Sequence, residues 1–429
     1  MQALDGSASF LTPLGASYYA SSNHLTVDHY QALVDRGWRR SGTVLYKPDV
    51  RRSCCPHYTI RLPAASFKPT RDQRQAVNRW NRYVLGDEYI DESKKRHPKS
   101  KEEKAKTRNE FDLYEAIHEA EYAKLKTPPE PAHRFKITLE PDNLTEEKFQ
   151  LFSNYQQAVH HDKPSDISKK SFQRFLCKSP LQRRRLQGSS SVELGSFHQC
   201  YWLDGRLIAM AVLDLLPHAV SGVYFLYHSD FEKFSFGKLS ALREAALAEE
   251  LGLKYYYMGY YIHNCKKMRY KGDYRPQYVL DPETNEWDPL ADVASLLDQK
   301  NYVSLSREKR SAAAETGHVS GDEVMDIEAH GKHLDSAAAA FEATQNGLSL
   351  FELGLPGMMT PQQLQEKVDL DEIMIPYMGN MVLRAAIFKS LEEGAITDSR
   401  SLLGILAELA ACVGPEVARE MLAKVLPGT

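Results

Sequence analysis

Apolar residues recur along this chain with two different periods, and the alternation between them divides it. Over Leu25–Gly37, Tyr30, Leu33 and Val34 fall at helical spacing behind Thr26, a good helix cap, and Gly37 is suited to end the helix. Thr43–Lys47 and His57–Leu62 alternate instead, which predicts two strands around a Cys54-Cys55 corner. Residues 70–85 return to helical spacing, with Val77, Trp80, Val84 and Leu85 on the apolar side of a basic helix. From Asp87 to Pro131 the pattern dissolves into charge. Lys94–Arg108 is almost devoid of apolar residues, so a solvated helix or a disordered loop is expected there, closed by Pro128-Pro129-Glu130-Pro131.

A second patterned unit runs from Phe135 to Leu290. It predicts a strand over Phe135–Leu139, helices over Glu146–His160 and Lys170–Leu176, and strands over Gln199–Trp202 and Arg206–Leu215. The Asp204-Gly205 pair between those two strands is the strongest hairpin signal in the chain. Gly222–His228 reads as a strand, Gly237–Glu250 as a long amphipathic helix and Tyr255–Tyr261 as a further strand, which together suggest an α/β layer structure. Residues 306–346 drift to Ala, Glu, Gly and Ser and are expected to form a linker. After Pro356-Gly357, Val382–Leu391, Leu402–Cys412 and Val417–Val425 predict a small helical bundle.

Composition changes this picture in one respect. A net charge of −3 over 429 residues describes a soluble globular chain, but Arg36–Arg108 carries 20 Lys/Arg against 8 Asp/Glu, leaving −15 for the rest. A basic stretch in an acidic protein suits a polyanion such as RNA, although a solvated surface reads the same way. No run of about 18 apolar residues predicts a membrane span, and Met1–Ser22 lacks the form of a secretory signal. Six cysteines do not make a disulfide framework, so reduced thiols in the cytosol, with access to the nucleus, are expected.

Residues 222–251 resemble the core of the GNAT acyltransferase superfamily. The strand Val223-Tyr224-Phe225-Leu226-Tyr227 leads to a helix beginning at Ser235-Phe236-Gly237-Lys238, whose unpaired amides suit an anion. The glycine-rich pyrophosphate loop of acetyl-CoA users is absent. More specific motifs begin with Gly37-Trp38-Arg39-Arg40-Ser41-Gly42, Tyr46-Lys47-Pro48 and Cys54-Cys55-Pro56-His57-Tyr58-Thr59-Ile60-Arg61. They continue with Arg174-Phe175-Leu176-Cys177, Gly195-Ser196-Phe197-His198-Gln199 and Tyr201-Trp202-Leu203-Asp204-Gly205. Then come Asp214-Leu215-Leu216-Pro217, Ser221-Gly222-Val223-Tyr224, Ser240-Ala241-Leu242-Arg243-Glu244, the Tyr255–His263 run and Met268-Arg269-Tyr270-Lys271-Gly272. Taken in order over residues 24–62 and 135–290, these motifs are similar to those of arginyl-tRNA–protein transferases, with a tail after residue 350 that loosely resembles the fungal branch.

The resemblance implies transfer of arginine from arginyl-tRNA to the α-amine of N-terminal Asp, Glu or oxidised Cys, marking the acceptor for ubiquitin-dependent degradation. An aminoacyl ester is already activated, so the enzyme must chiefly position it, and no cofactor is required for the chemistry. A carboxylate is then expected for the arginine side chain, with Asp214 first and Asp273 second. Lys271, Arg269 and Tyr270 suit an acidic acceptor; Tyr256, Tyr260 and Tyr261 suit the terminal adenosine; His198 and His263 could move protons. Lys238 could hold a phosphate, and Arg39, Arg40 and Lys47 could contact RNA. Each has a plainer reading: half of the alternating tyrosines as core, a turn aspartate, structural histidines, a solvated basic corner.

The family pattern also includes a Cys-Gly-Tyr-Cys pair that, with Cys54 and Cys55, resembles a zinc or iron–sulfur ligand set. Here Thr12-Pro13-Leu14-Gly15 runs straight into Ala16-Ser17-Tyr18-Tyr19, so that half of the set is missing and neither zinc nor a cluster is expected. The organisation expected is a flexible terminus (1–23), a small α+β N-terminal domain (24–86), a charged insertion (87–131), a GNAT-like catalytic domain (132–300), a linker (301–349) and a helical C-terminal extension (350–429). Two rival functions stay open: a CoA-dependent N-acetyltransferase on the same fold, and an inactive form that binds acidic N-termini or tRNA.

Overall fold

The computed structural model describes residues 2–6, 17–98, 100–102, 111–186, 188, 192–315, 336–377, 381–389 and 394–425. Most of the lysine-rich run (99 and 103–110), the junction at Thr12-Pro13-Leu14-Gly15 and residues 316–335 of the expected linker lie outside the described residues.

Two strands, β1 (Gln2–Gly6) and β2 (Ser17–Ser22), precede helix α1 (Val27–Val34), which Thr26 caps by accepting from the His29 amide. Gly37, at φ 86°, reverses the chain into the hairpin of β3 (Arg39–Ser41) and β4 (Val44–Pro48). After β5 (Tyr58–Pro63) comes α2 (Arg71–Leu85), started by a reciprocal capping box between Thr70 and Gln73. The Trp80 ring of α2 packs edge-on against Phe135, Phe234 and Phe236 at 5.0–5.2 Å, fastening this helix to the second half of the chain.

That half runs β6 (Phe135–Pro141), α3 (Glu146–Tyr155), β7 (Glu193–Leu203), β8 (Arg206–Leu216), β9 (Ala219–Tyr227), α4 (Phe236–Glu250), β10 (Tyr255–Tyr261), β11 (Tyr278–Leu280) and β12 (Trp287–Pro289). Asp204 and Gly205 both have positive φ, 51° and 82°, as the tight turn joining β7 to β8 requires. Helix α4 then carries the chain back so that β10 lies parallel to β9. The sheet order is β12-β11-β5-β10-β9-β8-β7-β6, with a short strand at Arg184–Arg185 beside β7. Leu151 and Phe152 of α3 pack with Cys200, Met210 and Val212 on one face, while α4 covers β9 and β10 on the other.

Two expectations are corrected. The N-terminal unit does not close on itself, because β5 lies inside the large sheet, antiparallel to β10. The C-terminal extension is not simply helical either. It contributes β13 (Met374–Tyr377), β14 (Met381–Arg384) and β15 (Met421–Val425) to a second sheet of order β14-β13-β15-β1-β2-β4-β3. Its apolar residues over 417–425 fit a helix period, yet pairing of β15 with β1 decides for a strand, a tertiary preference that local pattern does not contain. Helix α5 (Leu402–Val413) forms as expected, and its Cys412 carbonyl accepts from the indole of Trp38 at 3.2 Å, so both chain ends close around the N-terminal unit.

Candidate active site

Strands β9 and β10 are laddered only where Ala219–Ser221 meets Tyr255–Tyr257; beyond this no hydrogen-bond register joins them. Glycines flank the parting. A Cβ on Gly222 would lie 3.1 Å from Glu244 Oε2, so a side chain there would press on the carboxylate, and 3.7 Å from the Tyr256 hydroxyl, in contact with it. Gly259, at φ 78°, permits a bulge: Tyr257 pairs with Arg61 and Tyr260 with Thr59, two residues apart on β5 but three on β10. The extra residue breaks the alternation expected of this strand and brings Tyr260 to the side of Tyr257. The two phenol rings consequently share a neighbour, Arg39, whose guanidinium carbon lies 5.3 Å from Tyr260 and 5.8 Å from Tyr257.

Behind Gly222 the centre is acidic. Tyr256 donates to Glu244 Oε2 at 2.5 Å, and the Ser240 hydroxyl, one helical turn earlier on α4, donates to Oε1. Burial pushes the Glu244 carboxyl up to about 7, against the lowering pull of both hydroxyls and of Lys271. Beside Gly259 the centre is basic. The Lys271 ammonium donates to the carbonyls of Met258 and Tyr260 at 2.9 and 3.0 Å, gripping the bulge from both sides. Burial and the charge of Arg39 lower its pKa to about 8. His57 stands with its ring edge-on to Tyr260 at 5.5 Å, and burial lowers its pKa as well. A carboxyl poised near neutrality next to a lysine and unpaired strand backbone can take a proton from an amine and steady charge on an oxygen.

The structure thus brings together Tyr256, Tyr260, Lys271 and Arg39 among the residues predicted from sequence. Tyr270 is close by, its hydroxyl 4.0 Å from where a Cβ on Gly237 would sit. Asp214 is not available to an arginine substrate. It is fully buried on β8, and both carboxylate oxygens are held by Arg40, through Nε at 2.7 Å and Nη2 at 2.6 Å. The same pair removes Arg40 from any RNA-binding surface. Lys47 is also buried, donating to the Arg36 carbonyl at 2.5 Å, and burial lowers its pKa to about 7, which does not suit a phosphate contact. His198 is buried on β7, its Nε2 donating to the Leu176 carbonyl at 2.9 Å, and burial lowers its pKa to about 4, so it is neutral and structural.

His263 bridges the Tyr261 hydroxyl (2.7 Å) and Asp298 (2.9 Å), and Arg269 reaches the same Asp298 at 3.3 Å, so both are engaged in a separate cluster. Asp273 is exposed. Lys238 pairs with Asp72 at the start of α2 instead of standing open to a phosphate. Cys54 and Cys55 are exposed with their sulfurs 3.8 Å apart, and among the described residues no three His, Cys, Asp or Glu side chains are placed to hold a metal, whereas a tetrahedral thiolate site takes four ligands. Glu244 was not among the predicted site residues. Its signal was present as a carboxylate within the Ala- and Leu-rich run Leu239–Ala248, with Ser240 four residues before it.

The N-terminal arginine-tRNA-protein transferase family model matches residues 10–75, and its C-terminal counterpart matches residues 147–281. An arginyl-tRNA–protein transferase of Saccharomyces cerevisiae is 31% identical over 310 residues, covering 68% of this chain and 56% of its own length. The chain therefore spans little more than half of that relative. An arginyl-tRNA–protein transferase of Drosophila melanogaster is 30% identical over 383 residues, covering 65% of this chain and 79% of its own. An aspartate/glutamate leucyltransferase of Pseudomonas fluorescens is 31% identical over 265 residues, covering 60% and 83%. Among solved structures, the C-terminal domain of a putative lysylphosphatidylglycerol synthetase from Agrobacterium fabrum matches 48% of this chain and 47% of its own at 11% identity, with a TM-score of 0.25, too slight a likeness to define the fold. Both family halves are matched in order and 79% of the Drosophila relative is spanned, so the chain belongs to the arginyl-tRNA–protein transferase family.

Proposed function

We propose that this chain transfers arginine from arginyl-tRNA to the α-amine of proteins beginning with Asp, Glu or oxidised Cys, marking them for ubiquitin-dependent degradation in the cytosol, with access to the nucleus. The observation that carries this reading is Glu244, buried beside the parting of β9 and β10 with its carboxyl raised to about 7. The strand, crossover helix and parting strand of β9, α4 and β10 support a GNAT-like acyltransferase arrangement, in which the gap takes the aminoacyl end of the tRNA.

In this reading Glu244 takes one proton from the acceptor's α-ammonium, and the free amine attacks the ester carbon. Two of the three N–H groups of Lys271 are engaged by carbonyls, leaving one for the ester oxygen as it gains charge. The amide C–N bond forms, the ester C–O bond breaks, and the second amine proton passes to the departing ribose oxygen. Exposed Lys266, Lys267 and Arg269, at the turn after β10, suit the tRNA backbone. The experiment is transfer of labelled arginine to a peptide beginning with Asp, with a Gly-initiated peptide as control. Transfer to the first only is expected, and Glu244→Gln should lower kcat by about 10²- to 10⁴-fold with the fold intact. A folded protein that binds tRNA but modifies neither peptide would sink the reading.

A further inference from the structure

Arg39 and Arg40 are successive, and both are buried, at 5% and 4% exposure. Arg40 presents the edge formed by Nε and Nη2 to Asp214, a bidentate fork in which two parallel N–H bonds meet the two oxygens of a planar carboxylate. Arg184 uses the same edge on Asp28, at 3.0 and 2.6 Å. In Arg39 that edge has no partner. Its Nη1 is satisfied by the Trp38 carbonyl at 2.8 Å, while Nε and Nη2 are buried without a hydrogen bond. Nor does any carboxylate of the described residues form an ion pair with Arg39 or with Lys271, whose pKa the charge of Arg39 lowers. Leaving two N–H donors of a buried guanidinium unpaired is costly, and a second cation near it adds to that cost.

We propose that the free Nε/Nη2 edge of Arg39 receives the side-chain carboxylate of the acceptor protein's first residue, making Arg39 the group that selects acidic N-termini. The inference rests on the transferase reading and names the part of that site which reads the acceptor. Geometry favours a carboxylate over an RNA phosphate. The guanidinium is buried beside the rings of Tyr257 and Tyr260, and a carboxylate at the end of one side chain needs less room there than a phosphodiester, which would bring two riboses with it. Half-exposed Tyr46 and His57 bear on Tyr260 at 6.2 and 5.5 Å, so the aromatic cover of Arg39 extends to solvent. A carboxylate seated on Arg39 also neutralises the charge that depresses Lys271. Binding of the correct acceptor therefore raises the protonated fraction of the lysine that grips the bulge.

The test uses the full chain and peptides identical except for a first residue of Asp or its neutral isostere Asn. Wild type is expected to prefer Asp strongly. Arg39→Lys keeps the charge and removes the fork; Arg39→Gln removes both. In each, kcat/KM for the Asp peptide should fall about 10- to 100-fold, carried by KM, with the Asn peptide changed less than about twofold and the Kd for arginyl-tRNA unchanged. A parallel fall for both peptides would assign Arg39 a structural role and overturn the proposal. So would a raised tRNA Kd with the Asp/Asn ratio intact, which would give the edge to a phosphate. Independently of any variant, propionate should compete with the Asp peptide on wild type while propionamide does not, and equal behaviour of the two overturns the proposal. Failure of wild type to modify the Asp peptide at all would instead sink the transferase reading itself.

Discussion

The two sides of the short strand β3 treat buried charge in opposite ways. On one, Arg40 and Asp214 form a closed pair, with the Ser196 hydroxyl accepting from the same guanidinium at 2.9 Å, so every strong donor is matched from within the chain. On the other, Arg39 and Lys271 face the bulged end of β10 without a carboxylate of the described residues to pair with, close to a glutamate raised towards neutrality. Both regions look alike as text, since each is a charged residue near a strand end. Closure makes the first a fastening between the N-terminal unit and the large sheet. Lack of closure leaves the second with unspent capacity for a ligand.

Breaking the closed region should have the largest effect. Asp214→Ala strands the Arg40 guanidinium without its counter-ion in a fully buried site, and a loss of about 3–5 kcal/mol in unfolding free energy is expected by urea denaturation. Arg40→Met added to Asp214→Ala should recover most of that loss, because the remaining penalty is the unpaired charge and not the missing bond. Arg39→Met should cost little by the same measurement, since it removes a cation that has no partner to strand. A loss under about 1 kcal/mol for Asp214→Ala would erase the distinction between the two regions.

The open region is sharpened by pH. Glu244 acts as a carboxylate, so kcat/KM should rise as pH increases through about 7. Lys271 acts as an ammonium, so the same parameter should decline above about 8. The acid limb should approach a tenfold change per pH unit, and Glu244→Gln should flatten that limb while leaving the alkaline one. An acid limb that survives in Glu244→Gln would give the proton to another group.

How much of this was legible depended on the range of the interaction. The β7–β8 hairpin could be read from Asp204-Gly205, and the helix of α1 from Thr26, because a turn or a cap is decided by residues within a few positions. The parting of β9 and β10 was approached through the resemblance of 222–251 to an acyltransferase core. Asp214 was misread because its partner lies 174 residues away, and a strand-end aspartate looks the same whether free or engaged. Tyr260 was among the expected site residues, but the alternation rule assigns it to the wrong side. The bulge at Gly259 inverts the count, and a glycine among tyrosines was its only local trace. The C-terminal strands were missed because β15 is specified by β1 at the other end of the chain.

The smallest effect expected concerns Lys238, where the comparison can be tested at a third, intermediate position. Its ammonium meets Asp72 near the start of α2, with the Lys238 side chain half-buried at 35% exposure and that of Asp72 exposed at 70%. A solvent-accessible pair of this kind contributes about 0–1 kcal/mol and is screened by salt. If Lys238 only links α4 to α2, Lys238→Ala should change unfolding free energy by no more than this and leave the Kd for arginyl-tRNA unaltered. A weaker Kd, with a shallower dependence on salt, would mean that Lys238 leaves Asp72 for a phosphate when tRNA arrives. Exposure permits that exchange, whereas Arg40, closed on Asp214 in the interior, has no such freedom. The salt slope of Lys238→Ala would then separate a charge that can change partners from one that cannot.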